Sequence, residues 1–128
     1  MGNIEQINFI KHDISMLKEL ISDNDTSILR LVHSKNEIIN EQEHLFEIQG
    51  LNNQPELTPH LWNGHNAKDF IEMRDSIKQE FKSILDLQIE VLIDNISMKI
   101  THLTELNKAY ENKIHDKEIE LNFYHKLI

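Results

Sequence analysis

Glu41-x-x-His44 is the most chemically suggestive short element in a 128-residue chain that carries eight histidines. At that spacing a carboxylate and an imidazole share one helix face. Two such elements, with two further glutamates on facing helices, build the carboxylate-bridged di-iron centre of helical bundles. The second element is missing here, because Glu111 and His115 are four apart rather than three. His60 and His65 flank the lone tryptophan, Trp62, and His12, His33, His102, His115 and His125 are scattered with no repeated spacing. There is no cysteine, which excludes disulfides, thiol catalysis and zinc–thiolate sites. No Gly-rich phosphate loop is present, and a two-helix rod offers no deep pocket in which a Ser-His-Asp set could assemble. The residues therefore predict no catalytic centre, no metal site and no cofactor.

What must position these residues is plainly helical. All three glycines (Gly2, Gly50, Gly64) and both prolines (Pro55, Pro59) lie at the start of the chain or within 50–64, and none occurs from His65 to Ile128. A chain punctuated once near its middle reads as helix, turn, helix. The expected bounds are about 4–48 for the first helix, 49–65 for the turn and 66–126 for the second helix, within a single domain 1–128. The fold class is all-α: a long, coiled-coil-like antiparallel hairpin whose second helix is the longer.

In the first helix, alternate steps of three and four give Ile7, Ile10, Ile14, Leu17, Ile21, Asn24, Ile28, Leu31, Lys35, Ile38, Gln42 and Leu45, of which nine are apolar. That is a heptad seam. The polar run Ser22-Asp23-Asn24-Asp25-Thr26-Ser27 interrupts it with side chains that compete for backbone hydrogen bonds. The seam keeps its phase across the run, so one kinked or frayed helix is expected rather than two. In the second helix the apolar steps begin Phe70, Met73, Ile77, Phe81. They continue as four-four-three through Leu85, Ile89, Leu92, Ile96, Ile100 and Leu103, an eleven-residue repeat that supercoils slightly right-handed. Heptads then return with Tyr110, Ile114, Lys117, Leu121, Tyr124 and Ile128. Phe9 and Asp13, four apart, share a face in the manner of an ordinary surface pair.

At about 1.5 Å per residue the first helix would be about 67 Å long and the second about 90 Å. The last fifteen or so residues of the second would then lack an opposing helix, yet they carry two apolar stripes: Leu121, Tyr124, Ile128 and Ile119, Phe123, Leu127. Apolar doublets such as Ile28-Leu29, Leu31-Val32, Ile38-Ile39 and Leu45-Phe46 widen the first helix beyond a two-helix seam. The expected partner-binding residues are Leu29, Val32, Ile39, Phe46, Ile119, Leu121, Phe123, Tyr124 and Leu127. A helical protein, or a second copy making a homodimer, should cover them. The net charge of −9 argues against nucleic acid. No apolar run approaches the roughly 20 residues that span a bilayer, so membrane insertion is not expected. The opening MGNIEQINFIKHD lacks a basic-then-apolar leader, so a cleavable signal peptide is not expected either.

The turn carries one motif. Leu61-Trp62-Asn63-Gly64-x-x-Ala67-x-x-Phe70 resembles the turn signature of the WXG-type helical hairpins of type VII (ESX) secretion in Gram-positive bacteria. It is most similar to that of the YwqH-like small helical partners of LXG toxins. Its turn residues are Trp62, Gly64, Ala67 and Phe70. Trp can bury its ring over the open end of a helix pair while its N–H reaches the rim, and Gly accepts backbone geometry that other residues resist.

The resemblance implies a non-catalytic protein that binds the N-terminal helical domain of an LXG toxin, beside a second small helical partner in some cases. It would serve as a targeting factor or chaperone, cytoplasmic before export and co-secreted where it leaves the cell. The chain departs from the simplest hairpins in its length and in lacking a Tyr-x-x-x-Asp/Glu export signal: Ile114 follows Tyr110, and Ile128 follows Tyr124, at that spacing. The alternative is a self-associating structural coiled coil with no role in secretion.

Overall fold

The computed structural model describes the backbone of residues 2–51 and 65–127, with side chains for 2–48 and 66–127. Every described residue is helical. Helix α1 spans Gly2–Leu51 and α2 spans His65–Ser83. A π-helical turn, Ile84–Gln88, joins α2 to α3 at Ile89–Leu127 without a break. The topology is a helical hairpin whose second helical stretch is the longer. The expected turn residues Trp62 and Gly64 lie outside the described residues.

Contacts divide the chain into two compact units. The first comprises residues 1–33 and 97–128, the second residues 34–96. In the first, α1 and α3 run antiparallel: Asp13 faces Lys117, and eleven residues later Asn24 meets Asn107. The core follows the heptad seam, with Ile7, Ile10, Ile14 and Leu103 buried, and Leu17, Ile21, Ile28, Tyr110, Ile114 and Leu121 half-buried.

Helix α1 runs through the polar run 22–27 without a break. Three of the run's side chains have partners that leave the helical ladder intact. The Thr26 hydroxyl donates to the Ser22 carbonyl one turn back, at 3.2 Å. Asn24 and Asp25 bond across to α3.

The terminal stretch of α3 is not left without an opposing helix, contrary to expectation. Seven residues past Lys117, Tyr124 comes level with the first turns of α1, where Ile7 is buried. Helix lengths alone do not fix register; the pairing of Asp13 with Lys117 and of Asn24 with Asn107 brings the two ends of the chain together.

The surplus length falls at the other end of the second stretch. In the second unit the Gln42 amide meets the Leu85 carbonyl, and α1 ends nine residues beyond Gln42, about level with Ser76. The start of α2 therefore extends past the end of α1.

A second correction concerns the start of that stretch. Phe70, Met73 and Ile77, expected on the core seam, are exposed, Met73 by 64%. The more sheltered positions are Ala67, which is buried, and Arg74, Lys78 and Phe81, which are half-buried. A third correction concerns the eleven-residue repeat. Inward positions from Phe81 run to Leu85, Ile89 and Ile93, in three successive steps of four, and Leu92 is exposed. Such a run outpaces the 3.6-residue turn. The chain absorbs the surplus locally in one π-turn rather than spreading it as a right-handed supercoil.

Candidate interaction surface

Two polar devices set the helix pairing. In the first unit Asn107 is 8% exposed and occupies a seam position between Leu103 and Tyr110. Its side-chain oxygen accepts from Asn24 Nδ2 at 2.9 Å, and its Nδ2 donates to Asp25 Oδ1 at 2.9 Å. Both ends of the buried amide are thereby satisfied, which a one-turn slip in register would undo. Apolar periodicity does not mark Asn107. The available signal was a polar residue at the seam position of both helices.

In the second unit the device is the π-turn. The Ile89 N–H donates to the Ile84 carbonyl, a step of five. Where steps of four resume after a step of five, one carbonyl is passed over, and the next after Ile84 is that of Leu85. Leu85 itself is fully buried, so water cannot serve that oxygen easily. Gln42 Nε2 donates to it at 3.0 Å. Among the described residues no buried side-chain nitrogen or oxygen lacks a hydrogen-bond partner.

With the inner faces satisfied, the chemistry left is on the outside, and it is apolar. In the first unit Leu29 and Val32 on α1 are exposed, as are Ile119, Phe123 and Leu127 on α3. Phe123 lies twenty residues beyond Leu103. At about 100° per residue it points roughly 200° away from the seam. Leu121 and Tyr124, from the same set of expected partner-binding residues, stand instead at half-buried seam positions. The Phe123 and Tyr124 rings pack edge to face, 5.5 Å between centroids.

In the second unit Phe46 is exposed and Ile39 is half-buried. Of the turn motif, Ala67 is buried on the first turns of α2, and Phe70 is 46% exposed. His44 lies 3.9 Å from Glu47 on the surface, and Glu41 takes no part in that contact. Among the described residues no three His, Asp or Glu side chains converge as a metal site would need. No helix among them is long and apolar enough to cross a membrane.

A helical hairpin with a satisfied seam and rows of outward apolar residues defines a class: small helical proteins built around helix–helix association. The chain belongs to the YwqH-like family, which it matches over residues 5–125. No curated protein and no solved structure shows significant similarity to it.

Proposed function

We propose that this chain is a non-catalytic helical partner of an LXG toxin. It binds the toxin's N-terminal helical domain and targets it to the type VII secretion system, as a targeting factor or chaperone that can leave the cell with its cargo. Family membership supports the association with LXG toxins. The observation that carries the binding role is the row Ile119, Phe123 and Leu127, exposed on the side of α3 turned away from its own hairpin partner. The seam is formed by other residues, and more than half of each of these side chains is left to water. At roughly 25 cal/mol per Å² of apolar surface, covering such a row with a foreign helix is favourable by several kcal/mol. A second small helical protein could complete the same assembly on another face.

The test is co-expression with the N-terminal domain of a toxin encoded beside this chain. Co-purification as a defined complex, with a higher melting temperature than the free chain, is the expected result. A stable homo-oligomer that ignores the toxin domain would support the self-associating coiled coil instead. Phe123→Glu should abolish capture while leaving the helical circular dichroism and melting of the free chain unchanged.

A further inference from the structure

A separate apolar row of the first unit lies on α1. Phe9, Met16 and Leu20 follow at steps of seven and four, so at about 100° per residue they stack within roughly 40° of one another. They are 65%, 48% and 42% exposed. The row sits about 120° round the helix from the seam of Ile7, Ile14 and Ile21, beyond the cover of α3. Its two edges differ in charge. On the side toward α3, Asp13 is taken up by Lys117 at 3.3 Å. The far edge carries Glu5, Glu19 and Asp23, with His12 among them, and all are exposed. None of the three acids has a cation partner among the described residues. Lys11 and Lys18 project about half a turn away from the row, and Arg30 comes only after it has ended.

We propose that this row docks an amphipathic helix from another protein whose apolar stripe is bordered by lysine or arginine. Charge selects the occupant. A second copy would bring its own net charge of −9. In a two-fold contact it would set the same three carboxylates against themselves. A basic-edged helix replaces that repulsion with ion pairs along the rim. From Phe9 to Leu20 the row is about 16 Å long, so about three turns of partner helix cover it. The inference adds to the toxin reading by giving the chemistry of a partner helix. It rests on that reading only if the toxin domain supplies the helix.

The experiment measures fluorescence anisotropy of the full chain against two labelled synthetic helices with the same leucine stripe, one bordered by lysine and one by glutamate. The lysine-edged peptide should bind, and its affinity should fall as salt rises. The triple variant Glu5→Lys/Glu19→Lys/Asp23→Lys should weaken it by roughly tenfold or more. A control triple in the second unit, Glu43→Lys/Glu90→Lys/Asp94→Lys, makes the same change in net charge and should stay within about twofold. All six sites are exposed, and unchanged circular dichroism checks that each variant is folded. Equal weakening by both triples would reduce the effect to net charge and overturn the proposal. So would equal binding of the two peptides, or a homodimer in sedimentation that the first triple alters. Equal binding of the two peptides together with intact toxin capture would sink this docking site and leave the proposed function standing. Peptide selectivity without toxin capture would do the reverse.

Discussion

The side-chain amide of Gln42 on α1 donates to the main-chain carbonyl of Leu85 at 3.0 Å, forty-three residues further along the chain. One partner is a polar residue at a seam position where an apolar one would pack; the other is the carbonyl that the π-turn passes over. Each oddity accounts for the other. Without Gln42, the π-turn would leave a main-chain oxygen unsatisfied in the core. Without the π-turn, Gln42 would bury a donor with nothing to bond. The pair therefore fixes where the extra residue of the second helical stretch is absorbed.

Gln42→Met keeps the length of the side chain and removes the donor. It should cost about 1–2 kcal/mol in urea unfolding. Deleting Leu87 as well turns the steps from Phe81 into four, three, four, and so restores an ordinary helix with no passed-over carbonyl. The deletion should make Gln42→Met almost neutral. A cost that persisted in the deleted background would show that Gln42 stabilises through something other than the Leu85 oxygen.

The Asn24–Asn107–Asp25 bridge is expected to specify pairing more than to stabilise it. The double variant Asn24→Leu/Asn107→Leu should melt at the same temperature as the parent or higher, because leucines at seam positions pack without a desolvation cost. It should also lose uniqueness, reading as mixed oligomers or registers by light scattering and by exchange-broadened amide resonances. A strictly monodisperse variant with sharp resonances would remove the bridge from its specifying role.

Two neighbouring leucines of the π-turn provide a contrast. Leu85 is fully buried and Leu87 is 64% exposed. Leu85→Ala should destabilise by about 2–5 kcal/mol, through lost burial and the cavity it leaves. Leu87→Ala should stay within about 0.5 kcal/mol. Similar costs for both would mean that the inward phase of this turn is misassigned.

Lys117 approaches Asp13 at 3.3 Å and Glu120 at 4.0 Å, with its side chain 36% exposed. Ion pairs this wet contribute little, so Lys117→Met should change stability by less than about 0.5 kcal/mol and remove most of its salt dependence at that site. A loss above 1.5 kcal/mol would require this pair to act as a buried one.

Much of the fold could be read from the residues alone because helical periodicity is a local property. Steps of three and four from Ile7 to Leu45 picked out inward positions of α1, each buried or half-buried. The same local logic failed at Phe70, Met73 and Ile77, whose spacing is that of a seam but which are exposed, while Ala67, Arg74 and Lys78 are the sheltered positions. Periodicity says which residues share a face. It does not say which face is turned inward. For the same reason the apolar stripes near Phe123 were visible, while the split between half-buried Leu121 and exposed Phe123 was not.

By itself, then, the sequence determined that the chain is helical, acidic, and richer in apolar residues than one narrow seam requires. Tertiary structure alone decided the register, the location of the π-turn and the uses of Asn24, Asn107 and Gln42. Those depend on hydrogen bonds between residues 43 to 83 positions apart. Such long-range polar matches carry no periodic signature, because a donor and its acceptor are identified only when both helices are already side by side.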